Sequence, residues 1–484
     1  MGSAIGLISS LVALAMGCGF FAYAAKYYGS SLIALSGLGR ASAEEEKPDD
    51  GETLPMISIH LPFYNEANVA RRILRACLEI DYPRFEVIVA DDSRDTTVEI
   101  LREAGWRRKL PIVKFVHRGD RIGFKGGALS EAVRLTNPVA EFVAIFDADF
   151  VPPGDILRRF VAFYRESDEA GDKPVAAVQG YQLHYLNKSE NWVTRGVRAE
   201  FSGSYMVERV AAEKVGALKM VSGSVFMLRA DVLRRLGWGR SITEDWELTL
   251  RLYIDGYRVA YTPLIQAPAE IPVSLGALAR QRMRWAEGHT HSVRKYFIAV
   301  LTSAKLTTME KLEFLYFAPY YLQSLMLLIG SACWIVAEVN HVYPWFWRPA
   351  FGWGLLVSNL LAAPVMCLTG LFLEGDLRSD YSGAFGLVAL TYLLAPYQGY
   401  AALKGLLERE EGGWIRTLKT GSVTDRFLKL KLRWLLRWLK PAERLGRLSL
   451  GELSLPSVPG FARWSLAVAS LGLMSLPLVA LVVA

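Results

Sequence analysis

Cysteine is scarce in this chain, and what there is does not pair. Cys18, Cys77, Cys333 and Cys367 stand far apart, three of them in apolar stretches. Neither a disulfide framework nor a zinc-ligand spacing can be built from them, which excludes a cystine-stapled scaffold and fits a reducing compartment for the soluble part. Internal repeats and low-complexity tracts are missing as well. The first apolar stretch lacks a basic flank before it and ends well short of Ala41-Ser42-Ala43, so it reads as a membrane helix and not as a cleaved signal peptide.

What the chain has in quantity is apolar length. Residues 4–25, 313–338, 350–373, 384–405 and 464–484 carry few or no charges, and each approaches or exceeds the roughly 20 residues a membrane helix needs. Residues 55–300 have the mixed composition of a soluble α/β domain. The expectation is an integral membrane protein with one large soluble domain between hydrophobic ends. The net charge is +7, and much of the excess lies between Arg409 and Arg447. There Arg426, Lys429, Lys431, Arg433, Arg437 and Lys440 alternate with Leu432, Trp434, Leu435, Trp438 and Leu439. This pattern predicts a basic amphipathic helix on the membrane surface, with lipids and not nucleic acid as its partner. The Glu- and Asp-rich residues 41–54 read as a solvated linker.

Within the soluble part, strand and helix patterns alternate. Met56–Leu61 reads as a strand closed by Pro62, Glu66–Ile80 as a helix, and Phe85–Ala90 as a strand. Thr96–Ala104 is helical, Pro111–Val116 a strand, Phe124–Leu135 a helix and Phe142–Ile145 a buried strand. Such alternation implies a mostly parallel sheet covered by helices, with ligands bound at the carboxyl ends of the strands.

The chemistry-bearing residues fall at those ends. Asp147-Ala148-Asp149 follows the fourth strand. Two carboxylates two apart can hold a hard divalent cation that keeps positions open for phosphates. Asp91-Asp92-Ser93 closes the second strand, where it can meet a nucleobase or ribose or cap the next helix. Pro62-Phe63-Tyr64-Asn65-Glu66 offers an aromatic ring and a carboxylate in a turn. Arg121–Ala128 is a Gly-rich turn into a helix whose amides favour an anion, with Lys125 adding charge; it lacks the Gly-Lys-Ser/Thr order of a Walker A loop. Thr243 is a candidate cap for the helix opened by Glu244-Asp245-Trp246, and a carboxylate there is a candidate general base. Gln281, Arg284, Trp285 and His289 share one helical face. That face offers a fork for phosphate and a flat apolar surface for a sugar ring. Trp414–Gly421 is a basic loop beyond the fourth apolar stretch.

Taken in order, these motifs resemble the membrane-embedded family 2 glycosyltransferases of the cellulose synthase, hyaluronan synthase and chitin synthase type. The wording is closest to the cellulose-synthase-like mannan and glucan synthases, in Gly123–Leu129, Val143–Phe150, Val178-Gln179 and Trp414–Lys419. Ser222-Gly223-Ser224 leans instead toward hyaluronan synthases. The resemblance implies an α/β fold: a GT-A, Rossmann-like domain on the cytosolic side, inserted between transmembrane and interfacial helices. It implies an inverting hexosyl transfer from UDP-glucose or GDP-mannose to a growing β-linked polysaccharide, processive and coupled to translocation. Single-sugar transfer to a lipid acceptor, as in ceramide glucosyltransferases, is the alternative. By the same resemblance Asp245, with Glu244, is the catalytic base. Tyr64, Glu66, Asp92, Lys125, Asp147, Gln281, Arg284, Thr417 and Lys419 hold the nucleotide sugar. Trp285 meets the acceptor, and Asp149 with Asp147 binds Mg²⁺ or Mn²⁺.

The expected organisation is a membrane helix in 1–40, a linker in 41–54, the catalytic domain in 55–271, amphipathic helices in 272–312, and a membrane and interfacial region in 313–484 with a gating loop near 412–422. Because the basic 409–447 segment belongs on the cytosolic side, the stretch 384–405 is expected to be broken at Pro396 and Gly399 and to lie in the interface.

Overall fold

The computed structural model describes residues 2–37, 54–106, 113–169, 173–342, 349–413, 416–417, 419–425 and 460–483. The linker 41–53 and the basic segment 426–447 lie outside the described residues, as do Trp414, Ile415 and Leu418.

A seven-stranded mixed sheet forms the centre of the soluble domain, in the order β3-β2-β1-β4-β6-β5-β7. Its strands are β1 Ile57–Phe63, β2 Phe85–Asp91, β3 Val113–His117, β4 Phe142–Ile145, β5 Val175–His184, β6 Phe226–Arg229 and β7 Arg258–Ala269. β1 to β4 pair in parallel, as the alternation with helices predicts. β6 runs antiparallel between β4 and β5. Pro62 does not end β1; the strand continues to Phe63. The ladder to β4 stops at His60 and Ile145. Beyond that point β1 has a neighbour on one side only, so a residue without an N–H is tolerated there. One apolar face of the sheet closes under helices Ala67–Leu78 and Ile156–Glu169 around Ile59, Leu61, Val69, Ile73, Phe146 and Phe160.

Three helices among the described residues are long and apolar enough to cross a membrane: Ala4–Ser36, Thr308–Asn340 and Phe351–Glu374. The expected break in 384–405 is absent. Gly383–Leu407 is one continuous helix with Pro396 inside it. A proline inside a helix costs one hydrogen bond and crowds the preceding turn, and here helix packing outweighs that cost. Gly405 lies against the backbone of Glu287 and Lys404 pairs with Glu287 at 2.9 Å. These contacts fasten the helix to Leu275–Thr302 of the soluble side.

The soluble and membrane parts meet along helix Trp192–Gly203, where glycines let backbones touch: a Cβ on Gly370 would sit 2.5 Å from the Ser202 carbonyl oxygen. At the same seam Arg198, fully buried, donates to Glu374, lies 3.2 Å from Asp376, and bonds the Tyr181 hydroxyl of β5 at 3.1 Å. Lys188 and Asp380 extend this cluster at 2.6 Å.

Candidate active site

The carboxyl ends of β1, β2 and β4 open into one cavity of about 540 Å³. Its wall includes Tyr64, Glu66, Asp92, Lys125, Asp147, Asp149, Glu244, Asp245, Gln281, Arg284, Trp285, Thr417 and Lys419. Every residue singled out from the sequence as a candidate site residue therefore borders the same space. The cavity then runs on between the membrane helices, past Tyr23, Tyr320, Ser324, Asn359, Thr391 and Gln398. A π-turn at Ser204–Glu208 contributes Ser204, Tyr205 and Glu208 to its wall.

Lys125 is the hub of the acidic half. Its ammonium lies 2.8 Å from Asp147 Oδ1 and 3.1 Å from Glu244 Oε1, and donates to the Gly223 carbonyl at 2.7 Å. Burial works against its charge, but these carboxylates outweigh burial and hold its pKa above the ordinary lysine value. Lys125 thus joins carboxylates from two elements on the cavity wall. The turn itself is tight: Gly123 and Phe124 both have positive φ, and a Cβ on Gly127 would fall 2.0 Å from the Ile122 carbonyl oxygen.

Asp245 sits in the first turn of helix Glu244–Ile254, with Oδ1 accepting from the Trp246 N–H at 2.8 Å. Thr243 precedes this helix, but its side chain makes no capping bond; its N–H is bound instead by Ser241 Oγ at 3.1 Å. Enclosure by the protein and the neighbouring Glu244 charge push Asp245 up to about 7. A carboxylate with that pKa can take a proton near neutrality. Burial also lifts Glu66 to about 8 and raises Asp147.

Asp149 is the exception. Burial opposes its ionisation, but the Lys419 ammonium at 2.5 Å outweighs burial and holds it below the usual carboxylate range. Among the described residues no three His, Cys, Asp or Glu side chains gather as a metal site. The donors at Asp149 nevertheless suit a divalent cation. Asp149 Oδ2 is a hard oxygen that already pairs with a positive charge, the Lys419 ammonium, which a metal ion at that oxygen would displace. His184 is also close by, kept neutral by burial at about 3, with Nδ1 hydrogen-bonded to the Gln182 carbonyl at 3.0 Å. Its Nε2 therefore keeps the lone pair. A shell this sparse is what a cation completed by substrate phosphates requires.

On the β2 side, Asp92 is bound through both oxygens by Arg118, at 2.7 Å from Nε and 2.5 Å from Nη2. The capping alternative for Asp91-Asp92-Ser93 fails: Asp95 accepts from Thr97 N at 3.0 Å, whereas Ser93 Oγ accepts from Asn65 N. Arg121 stacks over Tyr64, with the guanidinium 3.3 Å from the ring centre. On helix Leu275–Thr302, Arg282 stacks 4.7 Å from Trp285 and pairs with Glu200 at 2.7 Å. His289 borders the cavity, but its Nε2 is bonded to the Phe317 carbonyl at 2.8 Å and its ring lies on Trp246.

Arg118, Arg121 and His184 escaped the sequence reading. Only Arg121 carried a signal there, as the first residue of the Gly-rich turn.

Fold and site define a class: a GT-A-type α/β domain with acidic strand ends, mounted on helices of membrane length. Residues 55–288 match the family model described as glycosyltransferase like family 2, and the chain carries a family 2 glycosyltransferase domain. It is 30% identical over 332 residues to a probable glucomannan 4-beta-mannosyltransferase of Oryza sativa subsp. japonica, covering 66% of this chain and 55% of that protein. A glucomannan 4-beta-mannosyltransferase of Arabidopsis thaliana is 27% identical over 403 residues, covering 80% and 69%. The chain thus spans about half the length of the first of these relatives. A mannosyltransferase of Pyrobaculum calidifontis, solved with GDP-Man and Mn²⁺, shares the fold with a TM-score of 0.55 at 21% identity, over 83% of this chain and 100% of that one.

Proposed function

We propose that this protein is an inverting glycosyltransferase that moves mannose from GDP-mannose to the hydroxyl end of a β-linked polysaccharide. The observation that carries the proposal is Asp245: a carboxylate lifted to about 7, on the wall of a cavity that is continuous from the acidic strand ends to the membrane helices. The names of the relatives favour mannose over glucose.

Asp245 takes the proton from the acceptor hydroxyl. The hydroxyl oxygen bonds to the anomeric carbon from the face opposite the leaving group, the bond to the diphosphate breaks, and the configuration inverts. Arg284 and Lys419 border the space where charge grows on the departing diphosphate, and fixed cations in an enclosed site lower that barrier. A Mg²⁺ or Mn²⁺ ion held by Asp149, Asp147 and the donor would supply further neutralisation of that charge. Tyr64 with Arg121 offers a stacked pair for the nucleobase, and Trp285 a flat surface for the acceptor sugar.

Nucleotide sugars are made in the cytosol, so the catalytic domain faces that side, and Gly383–Leu407 lies along the cytosolic interface. The polar residues Ser324, Asn359, Thr391 and Gln398, set among apolar helices, support passage of a glycan chain toward the membrane and repeated addition to it.

The test is incubation of the purified protein with radiolabelled GDP-mannose or UDP-glucose and Mn²⁺. Ethanol-insoluble, mannanase-sensitive label from GDP-mannose is expected. Label that extracts into organic solvent would instead show single transfer to a lipid. Asp245→Asn should lower the rate about 10²–10⁴-fold, the worth of a positioned general base. Undiminished transfer in that variant would remove the assigned base.

A further inference from the structure

We propose that Glu270 is the seat that holds residues 419–425, the strap, across the active site, and so positions Thr417 and Lys419. Glu270 follows β7 and is only 1% exposed. Its Oε1 accepts from the Thr420 N–H at 2.5 Å and from the Thr420 hydroxyl at 2.8 Å; its Oε2 accepts from the Gly421 N–H at 3.0 Å. Arg72 stands 3.7 Å away, between Glu270 and the Gly421 carbonyl.

The dependence runs both ways. Without the strap, a buried carboxylate would keep only one cation at a distance, and an unsatisfied buried charge is costly. Without the carboxylate, the strap would lose three charge-assisted hydrogen bonds at the point where it enters the cavity. Secondary ties exist on both sides of this seat. Asn68 Nδ2 donates to the Lys419 carbonyl at 3.0 Å, and Asp425 Oδ2 accepts from the Ser189 N–H at 2.8 Å. Gly421 has φ +75, and a Cβ there would fall 2.7 Å from the Asn68 carbonyl oxygen. Glycine at this position lets the strap approach closely enough for Thr420 and the Gly421 N–H to reach Glu270.

Glu270 does not itself border the catalytic cavity. Its effect passes through the strap, which makes it a positioning residue. That the strap covers a nucleotide sugar rests on the proposed function; that Glu270 holds the strap does not.

The experiment is limited trypsinolysis of the full-length protein in detergent without ligands, following cleavage after Lys419 by mass spectrometry. Cleavage after Arg134, an exposed side chain at the end of helix Phe124–Leu135, serves as the internal control. Glu270→Ala is expected to speed cleavage after Lys419 by about tenfold or more, the scale of one lost charge-assisted bond. Gly421→Ala should do the same while leaving the carboxylate in place. Cleavage after Arg134 should stay at the wild-type rate in both. An unchanged rate after Lys419, or a parallel rise at both sites, would overturn the seat. Binding of labelled GDP-mannose, measured on the same samples, should weaken in both variants. If the strap is freed and that binding holds, the seat stands and the donor-cover reading of the strap falls.

Discussion

Replacing Lys125 by methionine should move the acid limb of the pH–rate profile. Lys125 Nζ and Asp245 Oδ2 flank Gly223, lying 3.2 and 3.1 Å from the position a Cβ would take there. They are therefore at most roughly 6 Å apart, and at an effective dielectric constant of about 20 the attraction is worth about 2.8 kcal/mol. Removing it favours the protonated form of Asp245 by about 2 pH units. In the wild type Asp245 is protonated below about 7, so kcat/KM for the donor should fall tenfold per unit below that pH. In Lys125→Met the limb should begin near pH 9, because Asp245 then shares the pocket with Asp147 and Glu244 without the ammonium that bridges those two. Lys125→Arg keeps the charge and should keep the limb near 7. The assay is initial-rate transfer from GDP-mannose between pH 5.5 and 9.5, with an unfolding midpoint recorded for each variant. A limb that stays in place in Lys125→Met, or a wild-type limb near pH 4, would refute the electrostatic account of Asp245.

Two further outcomes follow from buried positions. His60 Nε2 is bonded to Thr136 Oγ1 at 2.9 Å while its Nδ1 has no partner among the described residues, and burial lowers its pKa to about 3. The folded state thus disfavours the proton that the unfolded chain accepts below about 6.5, so this contribution is intact above 6.5 and is lost as pH falls toward 3. By pH 4.5 the loss is about 2.7 kcal/mol. His60→Asn should flatten the fall in unfolding midpoint between pH 6.5 and 4.5, and an equal slope in both proteins would exclude this origin. Gly370→Ala should destabilise the protein by about 1–3 kcal/mol, because its methyl group would meet the Ser202 carbonyl at 2.5 Å; thermal unfolding in detergent reads the effect, and an unchanged midpoint would mean that the helices separate without cost.

The first half of the sheet was legible because β1, β2 and β4 are short apolar runs and each ends in polar, chemistry-bearing residues. β7 was not, since Pro263 and Pro268 interrupt its pattern. β5 carries Gln179, Gln182 and His184 in a fully buried strand, and the two glutamines find partners in a distant segment at Ser224. The antiparallel course of β6 has no sequence signature, because alternation reports which face a residue takes and not which way the chain runs. In the site, Asp147, Asp149 and Asp245 stood out because acidic residues at strand and helix ends are chemically suggestive on their own. Glu270 and Arg118 did not, because each takes its meaning from its partners: Thr420 and Gly421 lie about 150 residues beyond Glu270, and Arg118 joins Asp92 to the carbonyls of Ile122 and Phe124. Lys125 was visible as a charge but its carboxylate partners were not, since the groups it bridges come from two other elements.

The Arg198 cluster has a consequence for dividing the molecule. A fragment cut at residue 300 would contain every strand of the sheet and all of the matched domain, yet it would leave Arg198 with Glu374, Asp376 and Asp380 gone. Stripping the partners from a buried charge costs several kcal/mol, a large share of what a domain has to spare. The boundary that composition draws between soluble and membrane parts is therefore not a seam along which the protein comes apart. Grafting this catalytic domain onto foreign membrane helices would require carrying the carboxylates of 374–380 along with it.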